Sequence, residues 1–490
     1  MLENKPSLGN EDAYRAVIGL EVHVQLKTPN KIFCPEQAVY GLPPNTQTSP
    51  VTLAHPGTLP TLDRQSVSYA IMLCLGFHAT IPHKVWFDRK SYFYPDLPKG
   101  FQNTQKETPI GRDGYIIIDL PTGPTKISIP IIQIEEDSGK SIHALDGSGS
   151  FINFDRAGKG VIEFVTSPDF HNGESAAIFI AEARKIVRHL GISAGDMEKG
   201  ELRCDANVSI MKKTDTVFGT KVEIKHLNSI RHIQLAINAE IKRQMEIVKN
   251  GGQVRPSTRG YDAKTKQTYL LRSKEGLEEY RFFTEPDLSP FTVTETWVQQ
   301  LQAQLPPLPR ELVQKFKTIY QLTDEDAHYL TEQKETSLFF EAICQHTTQY
   351  KKAANWVMGP IKAYLNESKL GWADFPITPN TIAQLINTIA TGEISLYVAT
   401  EKLLPQLLEN PDMPLKRLLS GEHAQISNLQ QLDAWVEEAI AIHADKVAVY
   451  QKGKTGIIGL FMKEVMHISE QKANPQKTMD LLRKKLNAKH

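Results

Sequence analysis

In VIGLEVHVQL, residues 17 to 26, an acid and an imidazole stand two positions apart, Glu21 and His23. Extended backbone alternates its side chains, so these two share one face with Gln25 while Leu20, Val22, Val24 and Leu26 share the other. LRCDANVSI repeats the design, with Leu202, Cys204, Ala206, Val208 and Ile210 opposite Arg203, Asp205, Asn207 and Ser209. TKVEIK sets Lys221, Glu223 and Lys225 opposite Val222 and Ile224. IEEDSGK closes an apolar run with Glu135, Glu136 and Asp137, and like charges this close repel unless a cation or a shifted pKa relieves them. Carboxylate oxygens with one histidine form a donor set that Mg²⁺ accepts, usually with waters and substrate phosphates in its shell. Alternation alone also describes a solvated face of an antiparallel sheet.

FDRKSYFYPDLPKGFQ, residues 87 to 102, places Asp88, Arg89, Lys90, Asp96 and Lys99 among aromatics, a composition suited to a loop that holds phosphate or carboxylate. The chain has no G-x-x-x-x-G-K-[ST] loop, no G-x-G-x-x-G after a strand and no G-x-S-x-G elbow. A bound nucleotide must then lie on a sheet, and a serine hydrolase is not signalled. In KGKTGIIGLF, near residue 455, the Lys-Thr pair precedes the glycines, which reads as a turn that opens a helix.

The elements that must position these residues are legible as patterns. Short alternating segments fill the first 290 or so residues and read as strands. Helical stretches at 66 to 75, 174 to 190 and 230 to 250 lie between them, the last stopped by Gly251-Gly252. The interleaving predicts an α+β domain with a mixed or antiparallel sheet. EPDLSPFTV, with Pro286 and Pro290, breaks the pattern, so a boundary is expected near 292. Residues 293 to 408 read as an all-α domain, with Thr378 and Thr391 as N-caps. Residues 409 to 490 read as a small all-α tail with turns at Asn410-Pro411, Gly421 and Gly453.

At 490 residues, two or three domains are expected. Lys plus Arg equal Asp plus Glu at 56 each, so any nucleic-acid surface must be local. Residues 451 to 490 supply one: nine cations, including Lys452, Lys454, Lys463, Lys477, Arg483, Lys484, Lys485 and Lys489, against Glu464, Glu470 and Asp480. The N-terminus is polar, without the apolar core of a signal peptide, and no run is apolar enough to span a membrane, so a soluble cytoplasmic protein is expected. Cys34, Cys74, Cys204 and Cys344 form no C-x-x-C pair and read as reduced thiols, not as a zinc knuckle or a disulfide framework.

VIGLEVHVQLKTPNKIF, FDRKSYFYPDLPKGFQ, IEEDSGKS, GELRCDANVSI and LNSIRHIQLAI occur in that order, followed by YRFFTEPDL, WVMGPIKAYLN and KANPQ. In these segments the chain resembles the B subunit of the tRNA-dependent amidotransferase across nearly its whole length. The resemblance implies a catalytic cradle at 1 to 292 similar in fold to glutamine synthetase, then the helical domain and a tRNA-binding tail. It implies that ATP phosphorylates the side-chain carboxyl of misacylated Glu-tRNA(Gln) or Asp-tRNA(Asn) and that ammonia displaces the phosphate. The ammonia is made from glutamine by the amidase, or A, subunit and travels through an internal channel, a small C subunit wraps both, and activity exists only in the heterotrimer.

Motif matching then implies Mg²⁺ contact by Glu21, His23, Glu136, Glu163 and Asp205, with Glu135 as a further candidate. It implies catalytic roles for Glu136, Lys90 and Asp205 and a channel or gate at Lys90, Lys99 and Glu136. It also implies ATP phosphate contact by Arg203 and Arg89, tRNA contact by Lys452, Lys454, Lys463, Lys484 and Lys485, and no zinc. Arg203 is equally placed to pair with Asp205. A lysine at the gate exchanges protons with ammonia, provided burial lowers its pKa.

The chain departs from its relatives at three places. Where many have two C-x-x-C pairs, it has Cys34 with Gln37, and Ser49 with Thr52. D-x-N-R-x-G-T-P-L-I-E reads here as Asn153-Phe154-Asp155-Arg156-Ala157-Gly158-Lys159-Gly160-Val161-Ile162-Glu163, and His226 stands where relatives have Asn. Two rivals are a tRNA-binding scaffold and a free-standing carboxylate–amine ligase. The Glu/His/Glu/Asp face argues against the scaffold, because its repulsion costs stability that a scaffold has no need to lose.

Overall fold

The computed structural model describes residues 13–37, 39–144, 146–273, 280–419, 428–470 and 472–487; the turn expected at Gly421 and the side chain of Lys489 lie outside them. The strands are β1 (Tyr14–Gln25), β2 (Lys84–Val85), β3 (Asp88–Ser91), β4 (Phe101–Thr104), β5 (Gly111–Leu120), β6 (Gly123–Glu136), β7 (Lys140–His143), β8 (Ser150–Asn153), β9 (Gly160–Val165), β10 (Leu202–Lys212), β11 (Val222–Leu227), β12 (Ser257–Asp262), β13 (Gln267–Ser273), β14 (Phe283–Thr284) and β15 (Phe291–Thr292). Eight of them form one sheet in the order β13-β12-β11-β10-β1-β9-β6-β5. Only β11 and β12 run parallel in it, so the sheet is mixed.

One face of this sheet is dry. Ile18, Leu20, Val22 and Val24 of β1 are fully buried in a core shared with helices α1 (Arg64–Gly76), α2 (Gly173–Leu190) and α3 (Ile230–Lys249). Each helix begins where a side chain takes up an orphan backbone donor: Asp63 accepts from Ser66, Asn172 from Ser175 and Ser229 from His232. Gly191, at φ 73°, ends α2 in the left-handed conformation that glycine adopts without strain. The opposite face is left for polar groups. A small sheet, β14-β3-β4, lies beside its β6 end, tied there by Gln102 and Thr104 of β4, which donate to Glu135.

The chain divides into two compact units, Met1–Leu308 and Pro309–His490, a break later than the one expected near 292. The reason is helix α4 (Glu295–Ala303), which packs Trp297, Val298 and Leu301 against the first core and lies under Arg64, 4.4 Å from the Trp297 ring. The second unit is helical among its described residues, with one core running from Leu312 to Leu418 and another from Leu432 to Leu486. Thr378 caps the helix Pro379–Thr391, but Thr391 is that helix's last residue, and Ser395 caps the turn that follows. Pro360 is accommodated in a widened π turn, Val357–Ile361, which absorbs the donor that proline lacks. No described helix is long and apolar enough to cross a membrane.

The dry face of β1 carries the first unit, so Leu20→Ala should lower its stability by about 2–5 kcal/mol. Leu338→Ala, at a side chain 54% exposed, should change stability by no more than about 0.5 kcal/mol. Native-state hydrogen exchange of the β1 amides and of the helix Lys334–Cys344 measures both.

Candidate active site

β1 lies between β10 and β9, and the register stacks its polar residues against theirs. Glu21 lies opposite Asp205, and His23 lies opposite Arg203 on one side and Glu163 on the other. Glu163 lies opposite Gln133 of β6. Cross-strand neighbours on one face approach within side-chain reach. His23 Nε2 accordingly sits 3.1 Å from Glu163 Oε2 and 3.8 Å from Glu21 Oε1. One donor atom from each of Glu21, His23 and Glu163 falls within 4.8 Å of the others.

This grouping shifts the charges of its members. Burial disfavours a charged His23, yet the Glu163 carboxylate overrides it and raises the imidazole pKa to about 9. Burial pushes Glu163 up, and His23 holds it below the usual carboxylate range. Glu21 is raised by burial and by the Glu163 charge. Two carboxylates and one imidazole with converging donor atoms fit a hard divalent ion, which would displace the proton that His23 carries.

Alternation along β6 separates the paired acids. Glu135 faces Glu163: Gln133 Nε2 donates to Glu135 Oε1 at 3.1 Å and to Glu163 Oε1 at 3.0 Å. Thr104 Oγ1 adds a bond of 2.7 Å, and burial with the Glu163 charge raises the Glu135 carboxyl to about 7. Glu136 is instead engaged by the Lys99 ammonium and by the Asn103 amide at 2.9 Å. Of the two, Glu135 is thus the one beside the Glu21–His23–Glu163 group, and Glu136 is drawn off it.

Asp205 is also outside the three-donor group, because Lys225 Nζ holds its Oδ2 at 3.0 Å and reaches Glu223 at 3.2 Å. Arg203 pairs with Asp137 at 3.0 Å and not with Asp205. Burial would raise the Asp137 carboxyl, but Arg203 and Arg156 hold it below its usual range. Arg89 is locked by Glu285 at 2.7 and 2.8 Å and by Asp287 at 2.9 Å, with its guanidinium 4.1 Å from the Phe101 ring. Lys90 does not meet the condition of a burial-lowered pKa. Burial opposes its charge, but Glu135 and Glu163 outweigh burial and hold the ammonium above its ordinary pKa, so it is a fixed cation.

Two cavities flank this region. The larger, about 740 Å³, is lined by Glu21, His23, Lys90, Glu135, Arg203, Asp205 and Lys225 among others. The smaller, about 250 Å³, is lined by Phe33, Arg89, Lys99, Asn103 and Glu285 among others. Glu136 and Asp137 line both. Gln133 and Glu285 were not singled out from the sequence, and Asp137 and Lys225 were noted there on polar strand positions without an assigned role. Gln133 stands two residues before Glu135, so strand periodicity carried a signal for it; the Arg89–Glu285 pair, 196 positions apart, left none.

Residues 16–299 match the GatB/GatE catalytic domain, and residues 338–486 match the GatB domain. A Synechococcus sp. (strain JA-2-3B'a(2-13)) protein named as the B subunit of aspartyl/glutamyl-tRNA(Asn/Gln) amidotransferase is 41% identical over 480 residues, 97% of this chain and 98% of its own. Proteins of the same name from Geotalea daltonii and Oceanobacillus iheyensis are 40% and 37% identical, covering 96% and 97% of this chain and 99% of each relative. The chain belongs to the amidotransferase B-subunit family.

Its departures from the family pattern have local physical accounts. Around Cys34, the thiol donates to Glu36 at 3.1 Å, and the fully buried Lys31 reaches Glu36 at 3.3 Å and the Gln47 carbonyl at 2.7 Å. Burial raises the Cys34 thiol pKa, which disfavours the thiolate a zinc site needs. Asn153 and Asp155 exchange identities without losing acceptors: Asn153 takes the Asp155 amide at 2.8 Å, and Asp155 takes the Asn45 and Gln47 amides at 2.9 and 2.8 Å. Glu163 keeps its register with His23 despite Lys159-Gly160. His226 has φ 62°, where Asn is the commonest non-glycine residue and His is tolerated. It sits in a β-bulge, with Cys204 paired to Leu227 and Ala206 to Ile224, and Lys225 beside it in the bulge reaches Asp205.

In the tail of this B-subunit family member, Lys452, Lys454, Lys463 and Lys484 are exposed. Lys485 is occupied by Asp433 at 2.8 Å and Glu437 at 2.6 Å.

Because the folded pKa of His23 is raised from 6.5 to about 9, its pairing with Glu163 adds stability that is full below the unfolded pKa and is lost as pH climbs through the folded one. Metal-free protein should therefore melt at progressively lower temperature between about pH 7 and 9.5, and His23→Gln should flatten that slope. Equal slopes in thermal melts of the two proteins would refute the pairing.

Proposed function

We propose that this chain is the B subunit of a glutamine-dependent tRNA amidotransferase that works in the cytoplasm. Its substrates are ATP and misacylated Glu-tRNA(Gln) or Asp-tRNA(Asn), and its class is carbon–nitrogen ligase with glutamine as amido donor. The observation that supports it best is the Glu21–His23–Glu163 group, whose Glu21 and His23 line the large cavity alongside Lys90, in a chain of this family.

The reaction first brings two anions together. A side-chain carboxylate oxygen of the aminoacyl group attacks the γ-phosphorus of ATP, forming an acyl phosphate and releasing ADP. Ammonia then attacks the carbonyl carbon, the C–O bond to phosphate breaks with its electron pair, and the nitrogen loses a proton to give the amide. The first step is mostly a problem of positioning and charge neutralisation. Lys90, held protonated by Glu135 and Glu163, supplies fixed positive charge on the cavity wall. Lys225 does the same beside Asp205.

Glu21, His23 and Glu163 would hold Mg²⁺, with Asp205 and Glu135 adjacent; bound there, the ion neutralises charge on phosphoryl oxygens. Glu135, on the open face and free of any lysine bond among the described residues, is the group we assign to take the proton from the attacking nitrogen. The Lys99–Glu136 pair stands where the two cavities share a wall, and we assign it the gate through which ammonia from the amidase partner, the A subunit, passes. The small C subunit completes the heterotrimer, and the exposed tail lysines contact tRNA phosphates.

In the assembled heterotrimer, His23→Ala and Asp205→Ala should each cut ATP-dependent phosphorylation of the aminoacyl group by about 100-fold while glutamine hydrolysis persists. Normal amidation by either variant would overturn the site. Replacing Lys452, Lys454, Lys463 and Lys484 by Ala should reduce the salt slope of tRNA binding by about 0.7–0.9 for each phosphate that is no longer neutralised. An unchanged slope in filter binding would move the tRNA footprint elsewhere.

A further inference from the structure

Lys159 is a half-buried cation on the wall of the large cavity. Its backbone is fixed: its carbonyl accepts from Asp137 at 2.8 Å, and its amide donates to Arg156 at 3.0 Å. Its side chain reaches back to the end of β1 and donates to Gln25 Oε1 at 3.3 Å. No ion pair to Lys159 is found among the described residues, whereas Lys225 and Arg203 on the same wall are each paired with a carboxylate. Of the two carboxylates whose charges act on Lys159, Glu201 and Asp137, the second is already engaged by Arg203 at 3.0 Å, Gln25 at 3.1 Å and Arg156 at 3.7 Å. Three cations thus surround one acid on the cavity wall, and the hydrogen-bond partner of the ammonium among the described residues is a neutral amide.

A half-buried ammonium in that position is destabilised by its surroundings. Burial lowers its pKa, and Glu201 and Asp137 offset only part of that effect. An anion with several acceptor oxygens would satisfy the Lys159 donors that Gln25 leaves unused, and Arg203 offers further guanidinium donors beside it. A carboxylate is a poorer fit, since the wall already carries Asp137.

We propose that Lys159, supported by Arg203, forms a phosphate subsite on the Gln25–Asp137 side of the large cavity. The proposal rests on the functional reading above, which supplies two phosphate sources: the polyphosphate of ATP and a phosphodiester near the 3′ end of the tRNA. Lys159 acts as a positioning cation for whichever of these occupies the subsite.

The test compares wild type, Lys159→Gln and Lys159→Arg in the assembled heterotrimer. Lys159→Gln should raise one KM by about tenfold or more, the loss expected for a charge-assisted bond, with kcat largely retained and with recovery in Lys159→Arg. A rise confined to the KM for ATP assigns the subsite to the polyphosphate; a rise confined to the KM for tRNA assigns it to the phosphodiester. Both KM values unchanged overturns the proposal. Inorganic tripolyphosphate is the independent probe, since its binding by calorimetry requires no amidation. If wild type binds tripolyphosphate and Lys159→Gln binds it about tenfold more weakly, the subsite stands even if the amidation reading fails. In case Lys159→Gln does not fold, amine-reactive labelling of wild type read by mass spectrometry decides: tripolyphosphate should protect Lys159, and absence of protection overturns the subsite.

Discussion

The arrangement depends on one constraint, the burial of a single face of β1. Ile18, Leu20, Val22 and Val24 are sealed against three helices, and the period of two then leaves Glu21 and His23 no choice of side. A one-residue slip would expose four aliphatic side chains and bury an acid and an imidazole, so the register is among the best-specified features of the molecule. β10 and β9 obey the same rule on either side, which is how residues more than a hundred positions apart come to share one polar surface.

That surface is electrostatically strained, and the strain is relieved pairwise. Four acids near the centre have charged partners: Glu163 has His23, Asp137 has Arg203 and Arg156, Asp205 has Lys225, and Glu136 has Lys99. Glu135 is relieved only in part: burial and the Glu163 charge outweigh the Lys90 and His23 charges and the Thr104 donor, and its carboxyl pKa is raised to about 7. The cations that compensate these acids are the same ones needed to bring ATP and a carboxylate together, so stability and charge neutralisation are served by one set of groups.

The small sheet β14-β3-β4 gives the site its second side. It carries Lys90 toward the large cavity, while Arg89, its neighbour, is locked on the other side by Glu285. Alternation along β3 therefore divides two adjacent cations between two tasks, one electrostatic and one structural, as alternation along β6 divides Glu135 from Glu136.

The sequence by itself determined the α+β class, the main strands and the helices that cover them, because hydrophobic periodicity and caps are local. It also determined that Glu21 and His23 share the polar side of their strand and that Asp205 is on the polar side of its own, since each strand's alternation can be read without its neighbours; the pairing of the strands joined the two sides into one face. The tertiary structure decided which acid of the Glu135-Glu136 pair joins that face, and that Arg203 serves Asp137 and Arg89 serves Glu285. It also decided that Lys90 does not meet the condition of a burial-lowered pKa, because burial and opposite charge compete and only the three-dimensional neighbours show which prevails. The domain break moved to 308/309 for a similar reason: α4 has helical periodicity like the segments after it, but its apolar side packs on the first core. Local patterns state what a side chain is and which way it points; its partner depends on chain closure over hundreds of residues.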